Sequence, residues 1–138
     1  MAAVLPTNPI VMSNATVKIG TTSNYEATVS TASIVPTTPT STFKGVGGSV
    51  VAVAGTPTWV VNLTLLQDYK TANSLSQYLL ANAGTTQPIA IAPAAGTGNT
   101  LYTVSAIIVP AQIGGDVDAL LTASVTFQCI GQPVPTTI

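Results

Sequence analysis

The chain has no histidine, no arginine, one cysteine, three lysines and four acids. Each scarcity excludes something. Without histidine there is no Ser-His-Asp arrangement and no Cys-His pair, and most zinc sites lose their usual ligand. Three lysines and a net charge of −1 argue against tight nucleic-acid binding, which needs clustered cations to displace counterions from phosphate. They also argue against an electrostatic membrane anchor. A single cysteine, Cys129, makes no internal disulfide. No run reaches the 18 or so apolar residues of a membrane-spanning helix. The N-terminus lacks a basic segment, and Pro6 and Pro9 interrupt its apolar run, so it is a poor signal peptide. Synthesis and assembly in a reducing cytoplasm are the expectation.

The remaining chemistry is thin. Cys129 sits on the apolar side of an alternating run with no base beside it, which reads as a core residue. Asp116 and Asp118 form a weak calcium-like pair in a Gly turn, but a calcium site needs more oxygen ligands. The Gly45–Ser49 and Gly96–Gly98 stretches lack the Lys-Ser/Thr and the helix of a phosphate loop. Asn14-Ala15-Thr16 and Asn62-Leu63-Thr64 match a glycosylation acceptor by chance, the second lying inside a strand. Nothing supports a paired-carboxylate glycosidase site. The expectation is a protein that is no enzyme, with no cofactor and no metal.

What is present is apolar and hydroxyl-rich. Hydrophobic residues make up 46 %, an ordinary share. Charged residues make up 5 %, against about 25 % in a typical domain. Thr and Ser fill the gap. Two readings fit such a surface: one covered by neighbouring subunits, or the Thr-rich exterior of a stable secreted β-domain.

The pattern along the chain is mostly strand. Residues 1–14 read as an N-terminal arm, because prolines block regular structure. Residues 15–19 and 25–30 alternate and suit a hairpin with a five-residue loop. In the second run Tyr25, Ala27 and Val29 share one face; Glu26, Thr28 and Ser30 share the other. Residues 33–56 read as a long loop, with an extended Pro/Thr stretch to residue 42 and a short apolar strand from Ser49 to Ala54. Exposed, its Val35, Phe43, Val46, Val50 and Val51 would form a contact patch; alternatively it is a long hairpin folded onto its own sheet. Trp59, Val61, Leu63 and Leu65 form one face of a strand whose other face is half apolar, so a central strand covered on both sides is expected. Ser74 and Gln77 suit a capping box opening a helix over about 74–83. Its Leu75, Tyr78 and Leu79 face the core, Leu80 and Ala83 widen the stripe, and Gly84 stands at C′. Further strands fall near 87–92, 101–109 and 121–130, the last placing Phe127 on its apolar face. Residues 131–138 read as a proline-rich tail unable to add a regular strand. The sum is a mainly β protein: a sandwich or partly closed barrel of about seven or eight strands, residues 15–130, with one flanking helix.

One ordered set of features goes further. An aromatic-led strand from Trp59 runs into Gln67, Asp68 and Tyr69. Ser74 and Leu75 start a short helix that ends at Asn82 and Gly84. Gly114 and Gly115 make a late turn, and a strand closes into Gly131 and Pro133. This order resembles the major tail tube proteins of long, non-contractile-tailed bacteriophages, particularly those of actinobacterial hosts. The likeness covers the chain from residue 58 onward; the first 57 residues match only in layout. The resemblance implies a structural virion protein of the phage tail, assembled in the host cytoplasm into stacked hexameric rings through which DNA passes. Its partners would be other copies of itself, a tape-measure protein, a tail terminator and tail-tip proteins, with no stable nucleic-acid or membrane binding. Arms and the long loop would reach the adjacent ring, adding Leu5, Ile10, Pro36, Val134 and Ile138 to the contact residues above. Ring closure would pair every sheet edge. Glu26, Thr28 and Ser30 would face the lumen, although this chain has fewer acids than such lumens usually carry. The rival readings are a capsid decoration protein or an adhesin-like binding module, and a small hydrolase is disfavoured by the missing histidine.

Overall fold

The computed structural model describes residues 1–21 and 23–138. Strands take 47 % of the chain, which makes it mainly β. In chain order the elements are β1 (Thr16–Ile19), β2 (Ser23–Asn24), β3 (Val29–Thr37), β4 (Thr40–Lys44), β5 (Val50–Ala54), β6 (Thr58–Leu66), α1 (Leu75–Ala81), β7 (Thr86–Ala92), β8 (Thr100–Ile107) and β9 (Thr122–Thr137). Seven strands form one antiparallel sheet in the order β2-β1-β7-β8-β9-β6-β3, and β4 pairs only with β5. The large sheet curls into a half-barrel.

Period-two alternation decides which face is core. Val17 and Ile19, Ile89 and Ile91, Val104 and Ala106, Val61, Leu63 and Leu65, and Ala123, Val125, Phe127 and Cys129 are buried on one face. Leu75 and Leu79 of α1 join the same cluster. Tyr78 packs its ring beside Tyr25, centroids 6.0 Å apart, and lies over Gly20. A side chain at Gly20 would meet the Tyr78 hydroxyl at 2.8 Å, and its φ of +78° suits glycine. Leu80 is 51 % exposed and Ala83 is exposed, so the helix buries a narrower stripe than its sequence suggests.

The helix cap forms by halves. The Gln77 amide donates to Ser74 Oγ at 3.4 Å, while the Gln77 side chain donates to the Tyr69 carbonyl instead of reaching back to Ser74. Asn82 is the C-cap, so Gly84 falls one position beyond C′. Its amide donates to the Ile108 carbonyl, tying the turn to the end of β8.

Four expectations need correction. Residues 15–19 meet 25–30 only at Tyr25, whose amide donates to the Val17 carbonyl: β1 pairs with Ser23 and Asn24, and 26–28 form a turn. Residues 33–37 are not loop but the end of β3, paired with β6 through Pro36↔Trp59 and Thr37↔Thr58. Pro36 is tolerated because β3 is an edge strand. The outer face of β6 is not covered within the chain; Asn62 and Thr64 instead bond across to Thr126 and Ser124. The tail does form strand. β9 runs to Thr137 and pairs with β8 through Tyr102↔Pro135 and Leu101↔Thr136. Its pairing with β6 stops at Gln128, so beyond that point one edge is free and proline costs no ladder bond. Gly131, at φ +88°, stands at the irregularity in register where β9 turns toward this second half.

Two adjacent leucines on α1 test the packing. Leu79→Ala is expected to lose about 2–5 kcal/mol by opening a cavity, and Leu80→Ala less than about 0.5 kcal/mol. Urea unfolding of both variants checks the contrast.

Candidate functional site: two apolar poles

The candidate site is surface, and it is unusually abundant. A compact monomer of 13.9 kDa should expose about 6,700 Å2. This chain exposes 9055 Å2. The excess, on the order of 2,400 Å2 by that scaling, is the size of a substantial protein interface.

The β4–β5 hairpin and residues 1–14, all of them exposed, both contribute to it. Every residue from 40 to 44 and from 50 to 54 is exposed. The hairpin is a continuation of the β3–β6 ribbon: the Gly55 amide donates to the Pro39 carbonyl at 2.7 Å, and the Gly45 amide to the Ser49 carbonyl closes the tip. From Thr37 to Gly47 the ribbon spans on the order of 30 Å if extended. Register separates its faces. Phe43↔Val51 and Ser41↔Val53 lie on one side; Lys44↔Val50 and Thr42↔Ala52 lie on the other. Phe43, Val51 and Val53 therefore form one apolar face, exposed at 70 %, 57 % and 61 %. Val50 points to the opposite side, beside Lys44, and Val46 caps the tip. The hairpin is thus not folded back onto its own sheet. An isolated two-stranded ribbon is marginal in water, and this one exposes five large apolar side chains.

The strand directions place the other candidates. β6 leaves the hairpin at Thr58 and ends at Leu66, which pairs with Thr122 at the start of β9. β9 then runs back toward the hairpin end. Val134 and Ile138 lie at that end, where the Ile138 amide donates to Asn99 and the Ile138 carbonyl accepts from Gly98. Ile10 lines a cleft with Gly98, Asn99 and Tyr102. The hairpin, the 7–11 segment and the C-terminus thus share one pole. Val35 and Pro36 are exposed on β3, and Leu5 is exposed in the N-terminal segment; residues 1–14 carry no strand or helix.

The opposite pole holds a loop that sequence reasoning missed. Residues 112–121 leave Ile113, Val117 and Leu120 exposed at 68 %, 89 % and 80 %, beside Asp116 and Asp118. The signal was available: three large apolar residues stand among turn-forming residues. The loop is held at its base. Gln67 donates to the Gly114 and Thr122 carbonyls at 3.1 and 2.9 Å and accepts from the Gly114 amide at 2.9 Å. The Tyr69 hydroxyl donates to the Gln112 carbonyl. Asp68 turns the corner. The Thr71 hydroxyl, then the Thr71 and Lys70 amides, hold its carboxyl below the ordinary value. That contribution is present above the unfolded carboxylate pKa of about 3.9 and is lost as pH falls through the lower folded value. Gln67, Asp68 and Tyr69 thus form a clamp joining β6, α1 and the loop.

The lumen candidates do not share a strand face. Glu26 is exposed in the 26–28 turn, Thr28 donates to the Tyr25 carbonyl, and Ser30 donates to the Thr64 carbonyl. Of the core candidates, Val61, Leu63, Leu75, Leu79 and Phe127 are buried; Trp59 and Tyr78 are partly buried against the cluster. The Trp59 indole N–H is buried without a partner among the described residues. It borders an apolar cavity of about 350 Å3 lined also by Met12, Ile34, Ile91 and Tyr102. Glu26 is the one carboxylate that lines any of four surface clefts, so none of them pairs two acids. Burial pushes the Cys129 thiol up, away from thiolate chemistry. Among the described residues no three metal-binding side chains cluster, and no helix is long and apolar enough to cross a membrane.

No family model and no curated protein matches the chain.

The clamp and the hairpin should respond oppositely to mutation. Gln67→Ala is expected to cost about 1–3 kcal/mol, since it strands the Gly114 amide while the Gly114 carbonyl keeps the Gln112 side chain as donor, and to speed hydrogen exchange at residues 112–117. Phe43→Ser should change stability by less than about 0.5 kcal/mol. Denaturant unfolding with exchange mass spectrometry measures both.

Proposed function

We propose that this chain is a structural subunit of a phage tail tube, without enzymatic activity, that self-assembles into rings stacked in the virion tail. The observation that carries the reading is the β4–β5 hairpin, a folded ribbon with no buried residue and a continuous apolar face. Such a ribbon needs a partner to cover it. The excess surface, the free nine-residue edge of β3 and the likeness of residues 58 onward to tail tube subunits support the same conclusion. Lateral pairing through β3 closes a ring; the hairpin crosses to the next ring. Tape-measure, terminator and tail-tip proteins act at its length and ends.

The outer face of β3, β6 and β9 suits a lumen wall better than Glu26 does. Thr31, Ser33, Asn62, Thr64, Ser124 and Thr126 alternate with the core residues and carry no charge. Thr126 donates to Asn62 at 2.8 Å, and Thr64 bonds Ser124 at 3.2 Å. A surface that satisfies its own hydrogen bonds and offers no cation gives phosphate nothing to bind, so DNA slides past it.

Sedimentation velocity of the purified protein tests this reading. Wild-type protein is expected to form large particles as concentration rises. Phe43→Asp should stay folded by circular dichroism yet stop at monomers or single rings, because a carboxylate buried at the contact costs several kcal/mol. Equal polymerisation by Phe43→Asp would remove the hairpin from the mechanism. A wild-type chain that binds capsids or a glycan as a monomer or trimer would favour a decoration or adhesin role instead.

A further inference from the structure

Proline lacks the N–H that a strand edge offers to a partner, so the side toward which its nitrogen points decides what that edge can bind. In β9 the direction is fixed by the last residue. The Ile138 amide donates to the Asn99 carbonyl, and the Ile138 carbonyl accepts from the Gly98 amide. Ile138 thus turns both groups toward β8. Antiparallel alternation along the regular run from Thr100↔Thr137 to Thr103↔Val134 turns Thr136 and Val134 the same way. Thr137, Pro135 and Pro133 turn away from β8. Among the described residues no strand pairs that side of β9 beyond Gln128. Both prolines therefore stand where an unpaired edge would present its donors.

This edge is one that needs closing. Ile130, Val134 and Ile138 are exposed along it, and a long exposed apolar edge is a template for another chain. The facing edge of β6 is closed as well. Where β6 and β9 part, the Gln128 carboxamide donates to the Trp59 carbonyl at 3.2 Å, so the first β6 carbonyl beyond the ladder is engaged from within the chain. β3 differs. The Leu66 amide donates to the Thr28 carbonyl, so the even-numbered residues of β6 face β3. Their partners Thr31, Ser33, Val35 and Thr37 face β6 in return, and Ala32, Ile34 and Pro36 face outward. The β3 edge keeps donors at Ala32 and Ile34, and Pro36 closes its hairpin end alone.

We infer that Pro133 and Pro135 insulate the β9 edge against strand addition by a second copy and thereby direct strand pairing to β3. A strand laid along residues 133–137 finds carbonyls to donate to. Its own carbonyls opposite the two prolines are buried without a donor, which costs more than a made bond returns. The insulation stands without the assembly proposed above; that β3 is the edge used there rests on that reading.

A Pro133→Thr/Pro135→Thr double variant of the full chain restores both donors on a strand that is already formed. It is compared with wild type at a concentration where light scattering shows wild type in its smallest particle. The variant should keep the wild-type circular dichroism when dilute. It should then associate at a concentration roughly tenfold or more below that of wild type, with an intermolecular β-sheet band in the infrared. Exchange mass spectrometry locates the contact: residues 132–137 should exchange more slowly in the associated variant than in the dilute one. Pro135→Thr alone should move in the same direction, and it carries the test if the double variant loses its fold. A folded variant that associates no more readily than wild type overturns the inference. So does association that leaves exchange at 132–137 unchanged. Wild-type tubes beside an unaltered double variant remove the insulation and leave the tube reading intact. A wild type that never assembles, beside a double variant that does so through 132–137, removes the tube reading and keeps the insulation.

Discussion

The structure depends on the period-two alternation of β9. This strand pairs with β6 along one side and β8 along the other, so it joins the two halves of the curled sheet. Its Ala123, Val125, Phe127 and Cys129 face the core, while Ser124, Thr126 and Gln128 face out. A slip of one residue would turn Phe127 to solvent and bury Thr126. The register is fixed because the core tolerates no such exchange. From it follow the burial of Val61 and Leu63 opposite Phe127 and Val125, the docking of α1 over the same cluster, and the polar outer face. The direction of β6 against β9 also sets the hairpin and the Gly114 loop at opposite ends.

A second constraint is the near absence of charge. A soluble monomer normally keeps itself apart from its neighbours with charged side chains. Here the outer sheet face is hydroxyl and amide, the hairpin is apolar, and the exposed area exceeds that of a compact monomer of this mass. These features are costly for an isolated chain and ordinary for one whose surface is covered by copies of itself.

Much of the fold was legible in the sequence, and the reasons are local. β6 and the first half of β9 alternate cleanly, and Ser74 with the Leu75/Leu79 spacing marks the helix. What failed were segments where proline was read as a veto. Pro36, Pro133 and Pro135 all lie in strands, because each sits where one strand edge is free; edge status is a property of the sheet, not of the segment. The 33–56 region was recognised as apolar and in need of a partner, but its division into the end of β3 and a projecting hairpin was not. Composition groups Val50 with Phe43, whereas pairing puts it on the opposite face. Residues 112–121 read as a turn in the sequence, because their Gly and Asp residues outweigh Ile113, Val117 and Leu120. The Gln67-Asp68-Tyr69 run reads as a polar corner, and nothing in the linear sequence shows that Gln67 reaches Gly114.

The most direct test of the account is cryo-electron microscopy of the purified wild-type chain at increasing concentration, at a resolution that traces strands. The account predicts stacked rings, with the β4–β5 hairpin of each subunit covered by a subunit of the adjacent ring and the Thr64/Thr126 face toward a central channel. A chain that remains monomeric at high concentration even with tail initiation proteins added, its hairpin still exposed, would contradict it.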